Sequence, residues 1–214
     1  MKVLLRLSSY MLLISLLTGC GYLYSYEIVE PNHPSMAAPK VERPLRLVVG
    51  LSGTEKVLLD VPPLGGELQE LKALFAHQLQ ELSLFQRVLY PAVPHNHPDL
   101  SIHVILILQN KPEPEWTQFP KRFLTCLLLG LPAPLFHVEH HYVARGDMEI
   151  MHRDHIVKKY TASSDVIIRM RILAAPPPAF WEQAASQARD SMIADLFHQL
   201  DQDRGLLSRF ETDH

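Results

Sequence analysis

The chain has 214 residues, of which 47% are hydrophobic and 20% charged, and its formal net charge at pH 7 is −3. This length suits one globular domain with a sizeable core, and the slight acidity lacks the basic footprint of a nucleic-acid-binding protein. The sequence contains two cysteines, Cys20 and Cys126. The composition therefore excludes a disulfide-rich scaffold and predicts a fold that depends on its hydrophobic core.

The first twenty residues have the pattern of a secretory signal. Two basic residues precede an apolar stretch over residues 10–17, which is too short to span a bilayer. The stretch ends in Leu17-Thr18-Gly19-Cys20, which resembles the lipobox of bacterial lipoproteins. The resemblance implies a signal peptide over residues 1–19 and acylation of Cys20. Because Gly21 rather than aspartate follows the cysteine, it also implies the outer membrane, with the protein facing the periplasm.

Residues 20–44 show no sustained periodicity. Four prolines, Pro31, Pro34, Pro39 and Pro44, interrupt any helix or central strand in this segment. We therefore predict a flexible tether over residues 20–44 and a globular domain over residues 45–210. At roughly 3.3 Å per residue, such a tether would span at most about 80 Å.

The periodicity of the domain predicts an α+β fold. Residues 45–51 and 56–61 indicate strands, residues 68–85 an amphipathic helix, and residues 85–90 a short strand. Residues 99–109 indicate a strand that is apolar on both faces from Val104 onward, which is typical of a strand in the middle of a sheet. A hairpin over residues 137–162 and a second amphipathic helix over residues 180–205 follow, while residues 166–173 fit either a strand or a helix. We predict a mixed sheet of four or five strands with the two helices packed on one face.

This order of elements resembles a group of small α/β envelope domains. The leucine-rich helix over residues 68–85 is followed by Pro98-Asp99-Leu100 at the start of the central strand. The same pattern occurs in proteins related to the amino-terminal domain of TolB, the curli-secretion lipoprotein CsgG and the lipoprotein activators of penicillin-binding proteins. The resemblance covers most of residues 45–205 and implies a binding role in the cell envelope.

The most apolar stretch of the domain runs from Phe123 to Phe136. Its 14 residues contain Gly130, Pro132 and Pro134, so it is too short and too broken to span a membrane. It could pack in the core, dock on a membrane or partner, or join an oligomeric pore as the CsgG resemblance would imply. We predict core packing for residues 123–128, with Cys126 as a buried inert thiol. The predicted docking residues are Leu129, Leu131, Leu135 and Phe136.

Histidine is abundant, with 12 in the chain. If residues 137–141 form a strand, then His137, Glu139 and His141 project from one face, and two imidazoles with a carboxylate are a reasonable set of zinc or copper ligands. Successive residues on one face of a strand are about 7 Å apart, which suits a tetrahedral site poorly. We favour solvated histidines and keep these three residues as metal candidates.

Sequence motifs for catalysis are mostly absent. Gly50-Leu-Ser52-Gly-Thr54 departs from the Gly-x-Ser-x-Gly nucleophile elbow at its last position. We therefore predict a non-enzymatic envelope lipoprotein without a cofactor, acting as an adaptor or as an assembly or regulatory factor. Its expected partners are the membrane, through the lipid, and an envelope protein, with a homo-oligomer left open and no nucleic acid. The alternative is a periplasmic metal-binding lipoprotein.

Overall fold

The computed structural model describes residues 25–29, 44–58, 71–92, 98–127, 135–172 and 174–213. The strands in this part of the chain are β1 (Tyr26–Val29), β2 (Leu45–Leu58), β3 (Phe85–Leu89), β4 (Leu100–Pro112), β5 (His137–His152) and β6 (His155–Arg171). They form one sheet in the order β1-β6-β5-β4-β2-β3. The sheet is mixed, because β2 runs parallel to β3 and β4, whereas β4, β5, β6 and β1 pair antiparallel.

Helices connect or follow these strands: α1 (Leu71–Glu81), α2 (Glu115–Leu127), α3 (Pro178–Gln202), α4 (Arg204–Leu207) and a final 3-10 turn (Ser208–Asp213). Helix α1 packs against β2 and β3, and α3 packs against β5 and β6. The rings of Phe75 in α1 and Phe197 in α3 lie 4.9 Å apart, so both helices cover the same face of the sheet. The predicted α+β architecture is confirmed, with six strands in place of four or five.

The core lies between the sheet and these two helices. Alternate residues of β4, from Leu100 to Leu108, are buried on the helix side, while Ile105 and Ile107 face the other side and are half-buried. Helix α3 approaches β5 closely at Gly146, where an added Cβ would lie 2.5 Å from the Met192 sulfur. A glycine at this position therefore allows the two layers to touch.

Asp99 joins the starts of the two central strands. Its Oδ2 accepts a hydrogen bond from the Val48 N–H at 2.6 Å, and its own N–H donates to the Val48 carbonyl at 2.8 Å. The ladder between β2 and β4 begins one residue later, at Val49 and Leu100. The aspartate before the central strand thus satisfies a backbone donor at the point where the ladder begins.

Three sequence expectations need correction. Tyr26–Val29 is a strand paired with β6, so this part of residues 20–44 belongs to the sheet and not to a tether. The separate strand expected at residues 56–61 is the end of β2, which continues to Leu58. The ambiguous residues 166–171 complete β6. The lipobox and residues 30–43 lie outside the described residues.

One end of the sheet gathers several chain segments. Strand β1 begins there at Tyr26, β4 ends there at Pro112, β5 begins at His137 and β6 ends at Arg171. Helix α2 connects β4 to β5 across this end, which we call the α2 end. The tight β5–β6 turn at Arg153 and Asp154, both with positive φ, lies at the opposite end.

Candidate docking surface on helix α2

The buried residues of helix α2 are polar, whereas its large apolar side chains are exposed. Gln118 and Thr125 are buried, with exposed fractions of 7% and 5%. Four apolar residues, spaced three or four positions apart along the helix, are between 56% and 77% exposed. They are Trp116, Phe119, Phe123 and Leu127, which we call the apolar stripe. A helix that stabilises its own fold normally buries such a face, so this arrangement is reversed.

The stripe is continuous along the helix. The rings of Phe119 and Phe123 are stacked with their centroids 6.0 Å apart, and Trp116 and Leu127 extend the surface by one turn at each end. Exposed aromatic and aliphatic side chains grouped in this way mark interaction surfaces, whereas scattered ones are ordinary. The arrangement therefore presents a surface suited to binding an apolar partner.

Lys121 fastens α2 to the sheet. Its ammonium donates to Glu113 Oε1 at 2.6 Å and to the His137 carbonyl at 2.8 Å. One side chain thus links the helix to the residue that follows β4 and to the first residue of β5. Glu113 Oε2 also accepts from the Glu139 N–H at 3.3 Å, and the Gln118 amide donates to the Glu113 carbonyl. Polar contacts, rather than apolar packing, hold the helix in place.

The electrostatics of Glu113 reflect these contacts. Burial alone raises the pKa of its carboxyl, but hydrogen bonds from Lys121, from Thr117 and from the Glu139 backbone outweigh burial and hold the pKa below its ordinary value. Glu113 is therefore ionised at neutral pH, and it faces the charged Lys121 ammonium. The pair is only partly exposed to water, which limits screening.

The chain segment that leads back toward Cys20 also lies at the α2 end. The Ser25 carbonyl accepts from the Arg171 N–H at 3.0 Å, and the Ile172 N–H donates to the Phe136 carbonyl at 3.3 Å. Next to them, the ring of Tyr26 packs edge-on against Phe180, the two centroids being 4.5 Å apart. The amino-terminal strand and the segment following α2 therefore both lie at the α2 end, on either side of the end of β6.

The boundary that the sequence predicts between core and docking residues is not the one in the structure. Leu135 is exposed and Phe136 is half-buried, while Leu129 and Leu131 lie outside the described residues. The prediction that residues 123–127 pack in the core is wrong, because Phe123, Leu124 and Leu127 are exposed. Cys126 is also exposed and is not a buried thiol. Residue 128 lies outside the described part.

The metal candidates His137, Glu139 and His141 share a face of β5, as their alternation requires. Each side chain, however, interacts with a charged residue on β6. Glu139 Oε1 accepts from Arg169 Nε at 3.0 Å, and His141 Nδ1 lies 3.1 Å from Asp165 Oδ2. Burial and the nearby positive charges of Arg171 and Arg169 lower the pKa of His137. Among the described residues, no three histidine, cysteine or carboxylate side chains are placed to share a metal ion.

Sequence reasoning missed a contact between Ser52 and His103, whose Oγ and Nδ1 atoms lie 3.3 Å apart. The two residues are cross-strand neighbours within β2 and β4, and His103 is in turn opposite Glu149. Ser52 stands in the middle of a strand, whereas a nucleophile elbow places its serine on a sharp turn between a strand and a helix. The sequence pattern around Ser52 is therefore not an elbow.

Comparison with known proteins identifies the fold. No protein-family model matches the chain, and no curated protein matches it in sequence. A neuraminyllactose-binding hemagglutinin homolog from Helicobacter pylori matches in structure with a TM-score of 0.51 and 10% identity, over 85% of this chain and 98% of that chain. This match extends over nearly the whole of the Helicobacter structure, and at such low identity it shows a shared fold alone.

Weaker structural matches reach two other bacterial proteins. Protein XCC0632 from Xanthomonas campestris, of the DUF330 family, has a TM-score of 0.41 and 9% identity, over 85% of this chain and 95% of that chain. The PelC dodecamer from Paraburkholderia phytofirmans has a TM-score of 0.32 and 11% identity, over 80% and 95%. In the described part of the chain, no helix combines the length and apolar character needed to cross a membrane.

Proposed function

We propose that this chain is a lipid-anchored, non-enzymatic binding protein of the bacterial cell envelope, acting as an adaptor or as an assembly or regulatory factor. The observation that supports this best is the reversed polarity of α2. The helix is held by Lys121 and Glu113, and it presents Trp116 and Phe123 to the solvent. A binding surface explains this arrangement, because the fold gains nothing from exposing these rings.

The docking surface in this proposal includes the predicted residues. Leu135 is a further exposed apolar residue after α2, and the carbonyl of the half-buried Phe136 accepts a hydrogen bond from the Ile172 N–H just after β6. Leu129 and Leu131 complete the set as part of the proposal. The pattern Leu17-Thr18-Gly19-Cys20 supplies the anchor, which would hold the protein on the periplasmic side of the outer membrane.

The anchor is tested by Cys20→Ser. We expect an unprocessed precursor that takes up no labelled fatty acid and leaves the outer-membrane fraction, because the sulfur that would carry the lipid is gone. The matched control is Cys126→Ser, which removes the other thiol and should be processed like the parent. Normal cleavage and acylation of the Cys20→Ser protein would contradict the lipoprotein assignment.

The binding role is tested by crosslinking the intact lipoprotein in native membranes and purifying it. Recovery of a defined envelope protein in proportion to the bait, absent from the Cys20→Ser sample, is the expected result. Recovery of the bait alone at every crosslinker concentration would contradict an adaptor function. Stoichiometric metal on the tag-free protein would favour the alternative instead.

A further inference from the structure

The position of α2 relative to the amino-terminal strand restricts what its apolar stripe can meet. Ser25 lies at the α2 end, bonded to Arg171, and four residues separate it from Cys20. At the maximum reach of about 3.6 Å per residue, the Cα atoms of Cys20 and Ser25 are no more than about 18 Å apart. An acyl chain on Cys20 would therefore bring the membrane surface to this end of the sheet.

We infer that the apolar stripe of α2 lies in the surface of the lipid bilayer and forms a second membrane contact beside the acylated cysteine. This inference rests on the lipid anchor of the proposed function. Helix α2 has 13 residues and a length of about 20 Å, which is too short to span but suits a helix lying in the plane of the interface.

The side chains of the stripe fit the bilayer interface. Tryptophan, phenylalanine and leucine on one face are typical of helices that lie about 5 to 10 Å into the boundary between headgroups and acyl chains. Arg122 stands beside the stripe and is exposed, a position from which its charge can remain among the headgroups while the rings are buried.

Two contacts then fix the orientation of the domain. A single flexible anchor lets a domain turn freely, but an anchor and a helix at one end of a sheet hold that end against the membrane. The tight β5–β6 turn, which lies at the opposite end with the exposed Ile156, would point away from the bilayer. The open face of the sheet, which carries His103 and Glu149, would then be roughly perpendicular to the membrane plane. It would stay accessible to a protein partner.

The two tryptophans of the chain allow a direct test in the intact acylated protein. Trp181→Phe leaves Trp116 as the single tryptophan, and Trp116→Phe/Trp181→Phe/Ile156→Trp moves the single tryptophan to the opposite end. Each protein is reconstituted in phosphatidylethanolamine and phosphatidylglycerol vesicles, with and without bromine on the acyl chains. Far-UV circular dichroism checks that each variant is folded.

We expect bromine to quench Trp116 strongly and the fluorophore at position 156 weakly, with a depth for Trp116 of about 5 to 10 Å below the headgroups. The quenching should persist at high salt, because the stripe is apolar and its attraction is not screened. Equal quenching at the two positions would overturn the inference. Shielding of Trp116 from iodide in lipid-free detergent solution at rising protein concentration would also overturn it, in favour of a second copy.

Flotation of the protein with the vesicles separates this inference from the proposed function. If the parent protein floats but Trp116 is not quenched, the anchor stands and the α2 contact is wrong. If Trp116 becomes shielded only in native membranes that contain other proteins, α2 binds a protein instead. If the protein purified from cells carries no acyl chain, the proposed function itself fails.

Discussion

Lys121 Nζ lies 2.6 Å from Glu113 Oε1 and 2.8 Å from the His137 carbonyl oxygen, so a single ammonium joins α2 to the residue after β4 and to the first residue of β5. The helix has no comparable apolar packing, because its hydrophobic residues face outward. A partly buried polar clamp therefore decides whether the stripe is presented in a fixed orientation. This relationship can be tested separately from membrane binding.

The first prediction is that Lys121→Met loosens α2 without unfolding the domain. Hydrogen bonds to charged groups contribute about 1.5 to 3 kcal/mol each, and we expect the free energy of local opening of α2 to fall by a similar amount. Amide hydrogen exchange of residues 115–127 measures it. Lys159→Met is the matched control, since the Lys159 pair with Glu149 is exposed at the surface of the sheet, and it should leave exchange in α2 unchanged.

A second prediction concerns pH. Because the pKa of Glu113 in the folded protein lies below its ordinary value of 4.5, its ionised form stabilises the fold above that value, and the contribution is lost as the pH falls through the lowered pKa. Exchange protection of α2 should therefore begin to decrease as the pH falls below the ordinary value of 4.5. Glu113→Gln should remove most of this dependence. A parent protein whose α2 protection is the same at pH 3 and pH 6 would contradict it.

The third prediction is that Gly53→Ala destabilises the sheet. A Cβ at this position would lie 2.0 Å from the Val104 carbonyl oxygen of β4, a backbone atom that can move only with its strand. We expect a loss of about 1 to 3 kcal/mol in the free energy of unfolding, measured by urea denaturation. Gly205→Ala is the matched control, because nothing lies within 4 Å of its added Cβ. Gly205→Ala should be neutral or stabilise by up to about 1 kcal/mol.

A fourth prediction distinguishes stripe from core. Leu127→Ser should keep the melting temperature of the parent protein, because Leu127 is mostly exposed. Leu79→Ala removes a fully buried side chain of α1 and should lower the free energy of unfolding by about 2 to 5 kcal/mol. Thermal denaturation of both variants compares them. A large loss of stability in Leu127→Ser would return this part of the apolar stretch to the core.

Much of the fold follows from periodicity. The central strand β4, the β5–β6 hairpin and the two packed helices have strong apolar patterns, and a long regular pattern outweighs local irregularities. The sequence does not predict strand β1, because four residues just before Pro31 are too few to carry a sustained periodicity of their own. They become a strand because β6 offers an unpaired edge to residues 26–29. That edge is a long-range feature that the local sequence does not contain.

The candidate site was only partly predictable. The run of apolar residues in the sequence begins at Phe123, and it therefore leaves out Trp116 and Phe119, which belong to the same helix. The spacing 116, 119, 123 and 127 was present in the sequence and predicts one face of a helix. What the sequence could not show is the side on which that face lies, because this depends on Lys121 meeting Glu113 and the His137 carbonyl.

The pairing of β1 with β6 also constrains the order in which the strands can pair while the protein is being made. Tyr26 lies opposite Met170, so the first strand of the described chain pairs with a partner that is made more than a hundred residues later. During vectorial synthesis or export, the amino-terminal segment emerges first, but its hydrogen-bonding partners arrive near the end. The hairpin, whose strands are adjacent in sequence, can form before this closure. Joining the two ends of the chain is then a late step, and a chain truncated before β6 would leave Tyr26–Val29 without its native partner.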